Sequence, residues 1–244
     1  MKNNRIKSIE DLIVFEDDRL LAINKPFGIS SLHERSGNSI SIIELLKAYN
    51  PDAQLCHRLD RETTGVLLAS KNSDTYRDIA IAFEKRQVAK TYFAVVHGQH
   101  RFENLNIELP LSITSRGKAK VDMRRGKSAH TIFNTVENFK NFSSVECKPI
   151  SGRLHQIRVH LASQNAPIVA DETYGGKLPY LSNLVHKHKI GREREDRPMV
   201  RRVVLHAYRI ALELGKQKYE IEAPLSKDID VFLKLLRKND TLRV

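Results

Sequence analysis

The stretch Cys56-His57-Arg58-Leu59-Asp60-Arg61-Glu62-Thr63-Thr64-Gly65-Val66-Leu67-Leu68-Ala69-Ser70 constrains this chain more than any other. Its second half, a glycine followed by an unbroken apolar run of modest length, predicts a buried strand. Its first half is charged, so a polar loop must lead the chain into that strand. The loop carries Asp60 with Arg58 and Arg61 close on either side. Neighbouring guanidiniums favour the ionised carboxylate. An ionised Asp at a strand entry, directed into a cleft, can act as a nucleophile or general base. The plainer alternative is a loop salt bridge that fixes a turn, and local spacing fits both.

Composition narrows the partners. Among 244 residues, 41 Lys and Arg face 29 Asp and Glu, a formal net charge of +12. Such an excess points to a polyanion, because Lys and Arg release condensed counterions when they meet phosphates. A merely basic surface is the alternative. No basic amphipathic helix stands out for a membrane surface, and no apolar run approaches the ~20 residues that span a bilayer. The two cysteines, Cys56 and Cys147, stand in no metal-ligand spacing and read as reduced cytoplasmic thiols. Tryptophan is absent, so stacking on a base falls to Tyr, Phe, His or Arg.

Along the chain, residues 1–11 read as a polar tail. Ile13-Val14-Phe15 and Leu20-Leu21-Ala22-Ile23 flank an acidic turn and predict a hairpin. It enters the loop Asn24-Lys25-Pro26-Phe27-Gly28, where Lys25 is either a phosphate contact or simply solvated. Helices are expected over residues 39–49, capped by Ser39, and over 73–86, with Tyr76, Ile79, Ala80 and Phe83 as the buried stripe. Residues 90–96 and 142–150 read as strands. Between them, Arg116, Lys118, Lys120, Arg124, Arg125 and Lys127 lie within twelve residues, relieved only by Asp122. Gly117 and Gly126 argue for an exposed hairpin tip, and the single-signed run favours phosphate contacts over a solvated face. Residues 151–162 predict a helix with Leu154, Ile157 and Leu161 inward. Arg158 then sits at the edge of the buried stripe and needs a carboxylate, for which Asp60 is a candidate. Asp171 reads as a turn residue or an Arg partner. Residues 178–202 form a polar connection, a candidate for ordering only on RNA. Strands over 209–214 and 218–223 and a helix over 227–237, with Ile229, Phe232, Leu233 and Leu236 inward, complete the chain.

The exact residues carry a resemblance. His57-Arg58-Leu59-Asp60-Arg61-x-Thr63-x-Gly65 closely resembles the signature of RluA-type pseudouridine synthases. Asn24-Lys25-Pro26-x-Gly28, Lys90-x-Tyr92, Gly152-Arg153-x-His155-Gln156-Ile157-Arg158-Val159-His160, the segment Pro167 through Gly175, and Leu205-His206-Ala207 resemble further family motifs in the family's order. Ser30-Ser31-Leu32-His33 departs from the usual apolar-Val-His continuation, and Ala170 stands in a usual Gly place. The resemblance covers about residues 12–238, taken as one catalytic domain followed by a short tail over 239–244. It implies an α+β fold with a long, mainly antiparallel sheet and a central cleft. By the same resemblance Asp60 is the nucleophile, Arg158 its partner, and Tyr92 lies against the target base. Arg58 fills the gap left by the flipped nucleotide. Lys25, Arg153, His155 and the basic run are assigned to RNA.

The implied activity is isomerisation of uridine to pseudouridine in structured RNA, ribosomal or transfer, by a cytoplasmic monomer. It calls for no cofactor or metal and for no obligate protein partner. Only about a dozen residues precede the first strand, so RNA affinity is expected from the catalytic domain itself. Two rivals are a non-catalytic RNA-binding protein on the same fold and a glycosidic hydrolase. The hydrolase would need a second carboxylate opposite Asp60, a place only Asp171 is spaced to take.

Overall fold

The computed structural model describes residues 8–33, 40–183 and 196–241. In chain order the strands and helices are β1 (Ile13–Glu16), β2 (Leu20–Lys25), α1 (Ile42–Tyr49), β3 (Gln54–Leu55), β4 (Thr64–Ser70), α2 (Ser73–Glu84), β5 (Ala89–His97) and β6 (Leu105–Ile107). Then follow β7 (Leu111–Ile113), β8 (Ala119–Val121), β9 (Thr131–Asn138), β10 (Phe142–Pro149), α3 (Gln156–Ser163), β11 (Leu205–Leu214), β12 (Gln217–Glu222) and α4 (Lys227–Asn239). The fold is α+β and mainly antiparallel, as the family resemblance implies. Two compact units divide it: residues 1–90 with 206–224, and residues 91–205 with 225–244.

In the first unit, β2 pairs antiparallel with β1 and with β4, β3 pairs with β4, and β12 pairs with β11. All seven residues of β4 are buried, as its apolar run requires. Its start pairs parallel with β11, His206 opposite Thr64 and Ala207 opposite Gly65. Gly65 is obligatory there: its φ is +111°, and a Cβ would stand 2.1 Å from the carbonyl oxygen of Ala207. The Leu205-His206-Ala207 run belongs to β11, which therefore begins four residues before the strand expected from periodicity. His206 joins the two strands. Its Nδ1 lies 2.8 Å from the Thr64 hydroxyl, and its Nε2 lies 3.1 Å from the Ala223 carbonyl, to which it donates.

Two helix readings change. Ser39 lies outside the described residues, and Ser41 caps α1 instead. The Glu44 carboxylate reaches back to the Ser41 N–H (2.6 Å) and hydroxyl (2.7 Å). In α2 the buried residues are Thr75, Ile79 and Ala82, whereas Tyr76 is 36% exposed and Ala80 is also exposed. Asn72 sets this face by accepting the Thr75 N–H at 2.9 Å, and Thr75 buries its methyl in place of the tyrosine ring. Ile79 and Ala82 join Leu20, Leu68, Ile210 and Ile221 in this unit's core.

In the second unit, β10 lies antiparallel between β5 and β9, and β6 pairs with β9. The core holds Val95, Phe133, Val145 and Leu161, covered by Ile229, Phe232, Leu233 and Leu236 of α4, the inward set expected from sequence. Helix α4 runs to Asn239, and Asp240 is buried where it accepts the Asn141 N–H at 2.8 Å, so the last turn is built into this unit. Among the described residues no helix is long and apolar enough to cross a membrane. Residues 184–195 of the expected polar connection lie outside the described residues.

Candidate active site

The loop before β4 presents Asp60 half-buried between two anchored neighbours. On one side, the Ser31 hydroxyl donates to the Leu59 carbonyl (2.8 Å) and accepts the Leu59 N–H (3.0 Å). On the other, the Arg61 carbonyl accepts the Gly28 N–H (2.9 Å) while Arg61 Nε donates to the Gly28 carbonyl (3.0 Å). The Thr63 N–H closes the turn on the Asp60 carbonyl at 3.0 Å. Segment 25–31 is thus the cradle of the Asp60 loop. The Ser30-Ser31 departure from the family pattern supplies one of its clamps.

Lys25 corrects the sequence reading. It is fully buried, so it is neither solvated nor presented to phosphate. Its ammonium donates to the carbonyls of Pro26 (3.0 Å), Ile29 (2.9 Å) and Arg61 (3.3 Å), tying both limbs of the cradle together. A buried ammonium is tolerated because its donors are met by oxygen. Lys25→Met leaves those carbonyls short of a donor and is expected to lower stability by about 2 kcal/mol. The slope of log K for RNA against log salt is expected to stay unchanged. A phosphate-contacting lysine would lower that slope by roughly 0.7–0.9, so a salt titration of the variant decides between the two roles.

His57 fixes the loop from its other end. Its Nε2 accepts the Leu68 N–H at 3.0 Å, so that nitrogen carries no proton, and the ring rests 5.4 Å from Phe83. Burial, then the charge of Lys90, lowers its pKa from 6.5 to about 4. The unfolded chain takes up a proton near pH 6.5 that the folded chain refuses until about pH 4, so stability falls as pH drops through that window. Thermal melts across it should show a loss of up to about 3 kcal/mol from this group, and His57→Gln should flatten the profile. Lys90, 5.9 Å above the Phe83 ring, is itself lowered to about 8 by burial. Arg58 is exposed, and Cys56 is pushed up to about 12 by burial, which makes it an inert thiol.

In the second unit, Arg158 is 3% exposed and grips Asp171 with two parallel bonds, Nε to Oδ2 at 2.7 Å and Nη2 to Oδ1 at 2.6 Å. A carboxylate for Arg158 is therefore supplied thirteen residues away by Asp171, in keeping with its sequence reading as a turn or Arg partner. Asp171 held in this fork is not available as the second acid of a glycosidic hydrolase. The Tyr174 ring lies 5.1 Å from the Arg158 guanidinium. Its hydroxyl meets His155 Nδ1 (2.8 Å) and the backbone of Ala119 in β8 (N–H 3.1 Å, carbonyl 3.2 Å).

The helix that carries Arg158 is shorter than periodicity predicts. His155 adopts a left-handed conformation, φ 51°, and α3 begins at Gln156, which leaves Leu154 outside the helix. The cause is the buried Gln156 side chain. Its oxygen accepts from Ser151 (2.7 Å) and the Arg153 N–H (3.0 Å), and its amide donates to the His130 carbonyl and the Thr131 hydroxyl, both at 2.9 Å. His160, one turn on, reaches the Thr131 hydroxyl (2.9 Å) and the Leu109 carbonyl (3.0 Å). The motif's Gln and final His thus hold the helix in place. His155 is half-buried against Tyr174, and Arg153 is exposed with Nε on the Ser128 carbonyl at 3.0 Å. Tyr92, on β5 opposite Cys147 of β10, is half-buried and packs on the core of its unit.

Strands β7 and β8 form a separate two-stranded hairpin, on which Arg116, Lys118, Lys120, Arg124, Arg125 and Lys127 are presented towards solvent, Arg125 and Lys127 near its root. Gly117, with φ +73°, makes its tip. Gly126 has a different task. A Cβ there would stand 2.4 Å from the Asp122 carbonyl and 2.8 Å from the Leu111 nitrogen, so only glycine allows the return strand to approach. The Asp122 carboxylate accepts the N–H groups of Arg124 (3.1 Å) and Arg125 (3.0 Å). The Arg125 N–H, the largest contributor, helps hold its pKa below the ordinary carboxylate range.

A profile of the RNA pseudouridylate synthase family matches residues 19–163. The ribosomal large subunit pseudouridine synthase C of Vibrio vulnificus is 33% identical over 241 residues, which span 97% of this chain and 72% of the relative. Its counterpart in Pasteurella multocida is 35% identical over 245 residues, 97% of this chain and 71% of the relative. Among solved structures, Human RNA Pseudouridylate Synthase Domain Containing 4 superimposes with a TM-score of 0.74 at 25% identity, over 94% of each chain. A family profile over more than half of the chain and relatives above 30% identity over nearly all of it agree with the motifs around Asp60 and Arg158, and the chain belongs to the RNA pseudouridylate synthase family, as an RNA isomerase of the RluA type.

Proposed function

We propose that this chain converts uridine to pseudouridine in large-subunit ribosomal RNA, with Asp60 as its nucleophile or base. The reaction breaks the bond from ribose to the base nitrogen, turns the uracil, rejoins it through carbon 5 and releases the proton of that carbon. Its demands on the protein are access to a stacked base, one well-placed carboxylate and a surface that holds the RNA. The observation that carries the reading is the cradle: Leu59 and Arg61 are each fixed by hydrogen bonds, and Asp60 stands between them. Positioning of that kind is what a reacting carboxylate needs and a loop salt bridge does not.

Asp60 attacks the ribose or removes a ribose proton. Arg158 is its proposed counter-charge, held in orientation by Asp171 and by the Tyr174 ring. Tyr92 is the proposed packing surface for the extruded uracil, and exposed Arg58 fills the space that the base vacates. The six cations of the β7–β8 hairpin and Arg153 are the proposed phosphate contacts. The ribosomal substrate is supported by the names of the relatives, each a ribosomal large subunit pseudouridine synthase. Pseudouridine mapping of ribosomal RNA from cells with and without the gene tests this. One or more large-subunit positions should be lost on deletion and restored by the wild-type gene but not by Asp60→Asn. Unchanged large-subunit RNA would overturn the substrate assignment.

A further inference from the structure

At the root of the basic hairpin lies a cavity of about 420 Å³, within the ~300–1,000 Å³ range of small-molecule sites. Its apolar wall is Leu111, Ile113 and Leu154, of which Ile113 is 65% exposed, an unusual cost for an isoleucine with nothing to cover it. Three cations, Arg125, Lys127 and Arg153, line the same cavity. Asp122, kept ionised by the backbone N–H groups of Arg124 and Arg125, does not line the cavity, whose charged lining residues are all cations.

The backbone holds this shape. Leu111 and Lys127 exchange both hydrogen bonds of a bridge, at 2.9 and 2.8 Å, and Gly126 packs against Asp122 and Leu111. Beneath, Leu111 and Ala119 form a small core with Ala129 and with Val159 of α3. Leu154 is free to line the cavity because the left-handed His155 delays the start of that helix.

An apolar wall beside clustered cations suits a group that is flat and apolar at one end and anionic at the other. We propose that this cavity is a nucleotide subsite that receives an unpaired base of the substrate RNA, distinct from the target uridine, with its flanking phosphates on Arg125, Lys127 and Arg153. The inference rests on RNA being the substrate. It gives the hairpin a grip on unstacked bases in addition to its attraction for phosphate, and favours RNA that offers unpaired residues.

Gly152 provides the test. It lines the cavity, no atom lies within 4 Å of the place its Cβ would take, and it does not use the left-handed conformation. Gly152→Phe therefore fills the cavity without straining the backbone, and equal thermal melts for variant and wild type check this. The probes are a fluorescent adenylate dodecamer, which has no uridine to isomerise, and a ribose-phosphate dodecamer of equal charge without bases. Wild type should bind the adenylate strand about tenfold tighter than the abasic one, and Gly152→Phe should abolish the difference. Arg125→Gln with Lys127→Gln should weaken both strands alike and reduce the salt slope by ~0.7 for each phosphate that is no longer neutralised. Equal binding of the two strands by wild type, which needs no variant, overturns the subsite, as does a preference that survives Gly152→Phe. Tritium release from ribosomal RNA by wild type is measured beside it. Release without the adenylate preference overturns the subsite alone. The preference without release overturns ribosomal RNA as the substrate and supports the subsite.

Discussion

Asp60→Asn should abolish turnover, with a loss of at least ~10⁴-fold in kcat, and leave RNA affinity within about threefold. The two effects separate because neighbouring residues and backbone groups hold the cradle. Leu59 is held by Ser31, Arg61 by Gly28 and Lys25, and the turn closes on the backbone carbonyl of Asp60. The phosphate contacts proposed on the hairpin are equally untouched. Single-turnover rates and fluorescence binding on the same preparation measure both quantities. A loss of affinity comparable to the loss of rate would assign Asp60 to RNA binding and remove it from the chemistry.

Arg158→Met should have the largest effect on stability, about 3–5 kcal/mol in urea unfolding. Asp171 is 1% exposed, and the substitution leaves its carboxylate buried without the fork that neutralises it. Arg158→Lys should recover little, since a lysine is a point charge and cannot form both parallel bonds. Arg158→Met with Asp171→Leu removes both charges and should regain most of the stability. It should remain inactive, because the proposed counter-charge of Asp60 is still missing. An active, stable double variant would confine Arg158 to a structural role. The double variant is the informative one, since the single change alone confounds folding with chemistry.

Much of this architecture is legible before any coordinates. The apolar run after Gly65 reads as the buried strand it is, and α4 buries the four residues that its spacing selects. Periodicity fails where side chains bond to backbone. Lys25 reads as a surface cation because nothing in a sequence marks three carbonyls converging on an ammonium. Ser31 looks like a departure from a motif, and its value becomes visible only when Leu59 is seen beside it. Helix α3 starts late where the Gln156 side-chain oxygen accepts from Ser151 and Arg153 of the preceding loop, a contact invisible to a hydrophobic count. In α2, a capped threonine displaces an aromatic residue from the buried face. Arg158 announces its need for a carboxylate, and the structure shows Asp171 meeting it with two parallel bonds, a pairing that sequence distance alone does not single out.

Tritium release from large-subunit ribosomal RNA transcribed with uridine labelled at carbon 5 tests the isomerisation and the role of Asp60 together. Forming the new carbon–carbon bond expels that hydrogen, so release follows completion of the isomerisation. A stoichiometric burst is expected from wild-type protein and none from Asp60→Asn at equal RNA occupancy. Equal release by both proteins would contradict the role given to Asp60, and no release by wild type from RNA that it binds would contradict the isomerisation of this substrate itself.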